Sequence, residues 1–337
     1  MKYSKVRLDC LAYELAPNVV TSSELEKRVE AVYAALHFPL GQLEALTGIR
    51  ERRWWDAGFK LSEGASRAGR KALARSGVKA ADLGALIYAG VCRESSEPAT
   101  ACAVANSLGV GRDCAVYDIS NACLGVLSGI VDVANRIELG QIKAGLIVSC
   151  ESAREINESM IAAMLKTPTM ESFKLSIATL TGGSGAVAVL LTDGSFGAKG
   201  HKLLGGVTQA APEHWDLCRW ERDVMRTDAP AVLRNGVELA RGTWKSFSST
   251  LGWGPSAIDK TICHQVGGPH RAAVLQAFGV DAAKDYSTFE YLGNIGTVSL
   301  PLTAALADER GFFEKGDKVG FLGIGSGLNC MMLGWDW

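Results

Sequence analysis

A cysteine that ends an apolar strand and opens a helix is placed to be a nucleophile, and Cys123 in Asn121-Ala122-Cys123-Leu124-Gly125 is such a residue. A sharp strand-to-helix turn exposes the side chain, while unpaired N–H groups and the positive end of the helix favour a thiolate. A buried structural thiol is the more common fate of cysteine, and that reading applies to most of the other eight (10, 92, 102, 114, 150, 218, 263 and 330). Cys92, at the end of another strand, is the nearest rival. A thiol nucleophile works with a histidine, and of His37, His201, His214, His264 and His270 only His264 falls directly at the end of an apolar strand. His270 follows at the start of the next helix, where capping or exposure would explain it. Asn294, in Gly293-Asn294-Ile295-Gly296, could donate an amide N–H to a developing oxyanion, and the same four residues are also good turn chemistry. In Gly323-Ile324-Gly325-Ser326-Gly327-Leu328, backbone N–H groups could approach a substrate carbonyl, or the segment could be a plain glycine-rich hairpin.

Strands and helices must alternate to position these residues. Short apolar runs bounded by turn residues predict buried strands at Gly84–Cys92, Ala115–Ile119, Ala144–Cys150, Gly185–Leu191, Lys260–His264 and Lys318–Ile324. Helical spacing predicts helices at Ser62–Ser76, Thr100–Leu108, Leu124–Glu138, Val232–Phe247 and Pro269–Phe278. With 38 glycines to serve tight turns, this is the pattern of an α/β protein. The turn-rich segment Asp193–Gly200 divides the chain into residues 1–195, carrying Cys123, and 196–337, carrying His264 and Asn294. In each part a strand leads to a helix closing on Gly-Val (Gly109-Val110, Gly279-Val280); Cys123 follows the first valine by 13 residues and Asn294 the second by 14. These intervals imply a duplicated unit in which Cys123 and Asn294 occupy equivalent places.

Composition narrows the class. A formal net charge of −1, from 35 basic and 36 acidic residues with no basic block, argues against nucleic acid as a partner. No apolar run approaches the roughly 18 residues of a membrane helix, and the first residues lack the apolar core of a signal peptide. Nine cysteines without a C-x-x-C pair fit a reducing compartment, so a cytoplasmic enzyme is expected, without integral membrane association. Zinc-ligand spacings and a Walker motif are missing, and the glycine-rich tail lies too near the C-terminus to open a dinucleotide-binding helix, so neither metal nor cofactor is expected.

Taken together, Cys123, His264-Gln265, Gly293-Asn294 and the glycine-rich tail resemble the thiolase superfamily in its ketoacyl synthase III-like branch, over most of the chain. Thr47–Arg53 (TGIRERR) is similar to the T-G-I-x-x-R-R segment of that branch, and Gly293–Pro301 (GNIGTVSLP) to its G-N-x-x-x-x-S-x-P helix start. The resemblance implies a homodimer of a five-layered αβαβα thiolase fold made from two duplicated halves. It also implies an acyl chain carried on Cys123, His264 and Asn294 serving the condensation, and backbone N–H groups of Cys123 and Ser326 holding the oxyanion. Two features depart from the fatty-acid-initiating synthases: the tail reads GIGSGLN where G-F-G-G-G is usual, and Glu151–Leu180 is long for a connection between two core strands.

With Arg93–Thr100 (RESSEPAT), both departures resemble the olefin-biosynthesis thiolases, which join two fatty acyl-CoA molecules head to head. In that branch a glutamate of an E-P-[SA]-T segment reaches across the dimer as general base, and Glu97 matches it; an acidic residue before a helix start is the plainer reading. Met160, Met164 and Met170 in the long connection are expected to line or cap an alkyl channel, or else to pack as ordinary core at the dimer interface. The implied activity is a non-decarboxylative Claisen condensation of two acyl thioesters, from acyl-CoA or acyl-carrier protein, giving a 2-alkyl-3-keto acid. The alternatives are an α-pyrone-forming ketosynthase acting on two carrier-bound β-ketoacyl chains, a decarboxylating ketoacyl synthase III, and a non-catalytic acyl-binding partner subunit.

Overall fold

The computed structural model describes residues 1–337 apart from 198, 199 and 222. Its strands are β1 (Arg7–Leu15), β2 (Asn18–Thr21), β3 (Glu51–Trp54), β4 (Ala85–Ala89), β5 (Ala115–Ile119), β6 (Ala144–Glu151), β7 (Gly185–Thr192), β8 (His201–Ala210), β9 (Cys218–Glu221), β10 (Val224–Thr227), β11 (Lys260–Cys263), β12 (Lys318–Gly325) and β13 (Asn329–Asp336). Nine form one sheet in the order β11-β12-β13-β8-β1-β7-β6-β4-β5, and β2/β3 and β9/β10 are separate two-stranded pairs.

The pairing pattern occurs twice. In the first half β4 runs parallel to β6, β6 antiparallel to β7, and β7 antiparallel to β1; in the second, β11 runs parallel to β12, β12 antiparallel to β13, and β13 antiparallel to β8. The halves join where β1 meets β8, through Arg7↔Lys202 and Leu8↔His201. Strand β5, parallel to β4, has for its counterpart a single bridge between Thr261 and Asp285.

Burial on both faces explains why the strands read as unbroken apolar runs. Alternate residues face opposite layers. Leu86, Leu146, Val148, Ala188 and Leu190 meet the helices Leu61–Ser76 and Thr100–Leu108, whereas Ile87, Ile147, Val187 and Val189 meet the helices Gly125–Glu138 and Ser299–Glu309. From the second half, Phe321, Leu333 and Trp335 reach the same central pair of helices, while Leu322, Cys330 and Met332 face the helices Ala229–Leu251 and Gly268–Phe278. The result is five layers of alternating helix and sheet, the expected αβαβα thiolase architecture.

The element ends differ from the sequence expectation where side chains curl the chain. Strand β4 stops at Ala89 because Val91 and Cys92 turn their N–H groups onto the Glu151 carboxylate, and β6 in turn extends through Glu151. The expected turn Asp193–Gly200 falls between β7 and β8, with 198 and 199 outside the described residues. The expected equivalence of Cys123 and Asn294 is shifted. The 3-10 turn Ala122–Leu124 precedes the helix Gly125–Glu138 as Gly296–Val298 precedes Ser299–Glu309, and Ala122 (φ +43°) and Gly296 (φ +54°) share the left-handed conformation. The counterpart of Cys123 is therefore Thr297, and Asn294 lies three residues earlier.

Candidate active site

Cys123 is lifted out of the chain path by Ala122, whose positive φ is uncommon for a residue with a Cβ and marks a strained turn. The turn is held from both sides. Asn121 donates from Nδ2 to Ser128 Oγ (2.9 Å) and accepts from Asn329 Nδ2 (3.1 Å), which ties the Cys123 turn to the β12–β13 hairpin. Thr297 Oγ1 accepts from Val126 N (2.7 Å), satisfying one of the open N–H groups of the helix that follows Cys123. The glycine-rich tail is a hairpin, as one reading of the sequence had it, and its turn Ser326–Leu328 lies beside Cys123. A Cβ on Gly325 would stand 3.3 Å from Cys123 N and 3.5 Å from Cys123 Cβ, so the two turns pack in close contact there.

Cys123 opens onto a cavity of about 290 Å³ that Asn294 and Ser326 also line, together with Glu151, Cys92 and Cys218. Asn294 is fixed by its backbone and its own carbonyl: its N–H donates to Thr181 O (2.9 Å), its C=O accepts from Gly183 N (2.8 Å), and Oδ1 accepts from Gly296 N (3.0 Å). With Oδ1 occupied, the Nδ2 donors are the part of the amide available to a ligand. Gly293, at φ +67°, makes this turn possible, since a Cβ there would fall 2.5 Å from Thr181 O and 3.0 Å from Arg52 Cβ. Arg52 belongs to the TGIRERR segment and is fully buried, donating to Ser22 Oγ (3.0 Å), so that motif supports the Asn294 turn from below.

His264, 3% exposed, lies one residue past β11 with its N–H on Leu322 O (3.0 Å), and its ring faces a second, smaller cavity. Burial, and after it His270, pulls His264 down to about 3, which keeps the imidazole neutral at pH 7. Gln265 Oε1 accepts from Thr288 N (3.0 Å) and Phe289 N (3.2 Å), binding the His264 segment to the short helix that leads into Gly293-Asn294. Cys123, Asn294 and Ser326 thus share one cavity, and His264 stands at the end of the strand next to the hairpin. Glu97 is exposed within the six-residue exposed run Arg93–Pro98 and lines neither cavity.

The surroundings of Cys123 oppose the thiolate that its helix start favours. Burial first, then Cys218 and Glu151, push the Cys123 thiol up to about 12, against the lowering effect of the Ser326 and Cys123 N–H groups. Its residual exposure is to the cavity, where the low dielectric penalises the charged form more than two N–H donors favour it. Below that value the thiolate fraction rises about tenfold per pH unit. Alkylation of Cys123 by iodoacetamide, followed by peptide mass spectrometry, should therefore climb about tenfold per unit between pH 7 and 9 with no plateau. Saturation below pH 8 would reveal a thiolate stabilised at rest.

Several cavity residues carried no signal in the sequence reading. Glu151 is 4% exposed and accepts from Val91 N (2.8 Å) and Cys92 N (2.9 Å); burial raises its carboxyl above the usual range, opposed by those N–H groups. A single acid closing an eight-residue strand with every residue buried was the available clue. Cys218, Trp220 and Met225 reach the cavity from the β9/β10 pair. Met160, buried in the helix Arg154–Lys166, stands behind that wall with its Sδ accepting from Met225 N (3.3 Å). Met164 is buried in an adjoining apolar cluster that includes the cavity residue Ala153, and Met170 is exposed.

Residues 56–223 match the thiolase N-terminal domain, and residues 249–337 match the C-terminal domain of 3-oxoacyl-[acyl-carrier-protein] synthase III. The chain is 57% identical to an acyl-CoA:acyl-CoA alkyltransferase of Shewanella oneidensis, covering 100% of both chains. Identity to a β-ketoacyl-[acyl-carrier-protein] synthase III of Streptomyces coelicolor is 27%, over 94% of this chain and 93% of that one. A solved structure of Xanthomonas campestris OleA, a cysteine-to-serine variant with bound lauric acid and lauroyl-CoA, superposes with a TM-score of 0.97 at 36% identity, covering 99% of this chain and 100% of that one. The repeated half-sheets, the cysteine turn between them and full-length identity of this order lead to one assignment: the chain belongs to the thiolase superfamily, in its family of acyl-CoA:acyl-CoA alkyltransferases.

Proposed function

We propose that the protein joins two fatty acyl-CoA molecules by a non-decarboxylative Claisen condensation through an acyl-Cys123 intermediate. The observation that carries this reading is Cys123 opening, from a strained turn at a helix start, onto a cavity it shares with Asn294 and Ser326, in a chain so close to an acyl-CoA:acyl-CoA alkyltransferase. The Cys123 thiol gives up its proton as the sulfur attacks the first thioester, with the N–H groups of Cys123 and Ser326 on the carbonyl oxygen, and CoA leaves as its thiol by taking up that proton. A base then takes an α-proton from the second acyl-CoA, and the enolate oxygen is held by N–H donors of His264 and Asn294. The α-carbon attacks the acyl-Cys carbonyl; a C–C bond forms, the C–S bond breaks, and the departing Cys123 sulfur takes the proton held by the base, which restores both groups. Hydrolysis of the remaining thioester gives a 2-alkyl-3-keto acid. No metal or redox cofactor enters this sequence.

The base is assigned to Glu97 of the partner subunit, which makes the enzyme a homodimer. Two observations support this. Strand β5 is a sheet edge whose five residues are all half-buried, an unpaired row of backbone groups suited to a second copy. The Glu97 segment is anchored beside that edge, because Asp118 of β5 accepts from Thr100 N and Ala101 N (both 2.9 Å) at the start of the next helix. Residues 1–195 and 196–337 form the two halves in this reading, since the division falls between β7 and β8. Nine free thiols support a cytoplasmic setting, and no helix among the described residues is long and apolar enough to cross a membrane.

The alkyl chains are assigned to the apolar region behind the cavity, with Met160 and Met164 in its wall. Incubation with myristoyl-CoA alone should release free CoA and yield a C–C-coupled product, and Met160→Trp should shift the preference toward shorter chains. Coupling that requires a malonyl thioester would replace the proposal with a decarboxylating synthase. Unchanged chain preference in Met160→Trp would remove Met160 from the channel.

A further inference from the structure

We infer that His270 is a positioning residue for His264, acting through a single water held between the Nδ1 atoms of the two rings. Both Nδ1 atoms are sealed from solvent without a hydrogen-bond partner. Both rings line the same cavity, of about 10 Å³, the size that admits one water. The rest of its lining is apolar or thiol, including Val274, Phe278, Leu322 and Met332, so the two nitrogens are the strong polar groups a water there would meet. Leaving two buried acceptors dry is unfavourable, and one water bonded to both removes the penalty.

The bridge has a chemical consequence. Water offers two O–H donors and a neutral imidazole one acceptor nitrogen, so a water donating to both Nδ1 atoms places the ring proton of each histidine on Nε2. His264 is then held as the Nε2–H tautomer, the form that can donate to an enolate oxygen. The geometry is braced: Arg271, next to His270, pairs with Asp285 (Nε–Oδ2 2.6 Å), and Asp285 Oδ1 accepts from Cys263 N (3.1 Å), next to His264. The two histidines are thereby fixed to one another through the residues beside them.

The inference rests on the proposed donor role of His264, and the test separates the two. In the full-length protein labelled with ¹⁵N-histidine, the wild type should show His264 as a single Nε2–H tautomer at pH 7. His270→Leu should give a mixed tautomer and lower myristoyl-CoA coupling at least about tenfold, while Cys123 still becomes acylated. His270→Asn, whose Oδ1 takes the place of Nδ1 as acceptor, should restore both. An unchanged His264 tautomer or wild-type coupling in His270→Leu overturns the inference, as does failure of a folded His270→Asn to rescue. Unimpaired coupling in His264→Ala would instead overturn the donor role itself.

Discussion

Cys123→Ala loses both acyl transfer and coupling, by on the order of 10⁴-fold or more, while the fold stays within about 1 kcal/mol of the parent. The stability estimate follows from position: the sulfur faces a cavity instead of a packed core, so its removal leaves little new void. The loss of rate follows because neither other thiol in the cavity is equipped to replace it. Cys92 donates from Sγ to Ser152 O (3.4 Å) and is held well above the ordinary thiol range by burial and then by Glu151. Cys218 sits against Thr227 Oγ1 (3.4 Å) on the β9/β10 pair. Only Cys123 stands at a helix start with the Ser326 N–H beside it. Mass spectrometry of the variant after exposure to myristoyl-CoA should show no acyl adduct. An adduct on Cys92 or Cys218 with normal turnover would sink the assignment of the nucleophile.

What could be read from the chain, and what could not, divides along a physical line. The cues that single out Cys123 are local: a short apolar run gives way to an apolar period of 3.6 within a few residues. The same holds for the strands, whose two buried faces write themselves as apolar runs. Counting from the Gly-Val pair of each half sets Asn294 opposite Cys123, whereas in the fold Thr297, three residues later, takes that place. The halves differ in their elements: the second replaces strand β5 with one bridge at Asp285 and inserts the helix Phe289–Leu292. Glu151 was missed because its partners, Val91 and Cys92, lie about sixty residues away along the chain. The raised Cys123 thiol has a related cause: a helix start is visible in sequence, but the burial that outweighs it is made by the folded chain, and the charges of Cys218 and Glu151 that add to it come from residues distant along the chain.

Glu97→Gln separates the two half-reactions. Acylation of Cys123 needs the thiolate and an oxyanion site but no carbanion, so the variant should still take up a myristoyl group and release CoA at close to the parent rate. Coupling needs a proton removed from a weakly acidic α-carbon, and loss of a general base costs about 10²–10⁴-fold. Glutamine keeps the size and shape of the side chain while replacing one carboxylate oxygen with an amide NH₂, which removes the negative charge and the ability to accept that proton. Because Glu97 is exposed on its own subunit, the substitution should leave the stability of the separated chain unaltered. Dimer exchange adds a stricter check. If the base comes from the partner subunit, mixing Glu97→Gln with Cys123→Ala should regenerate one competent site in each mixed dimer, pairing an intact Cys123 with an intact Glu97 of the partner subunit. A base supplied within the same subunit would give no such recovery. A decarboxylating synthase would show no split between acylation and coupling, since loss of CO₂ generates its carbanion, and a pyrone-forming enzyme would show it weakly because its β-ketoacyl substrates are already acidic. Wild-type coupling by Glu97→Gln would return Glu97 to the role of a charge before a helix start and leave the buried Glu151, already in the Cys123 cavity, as the next carboxylate to examine.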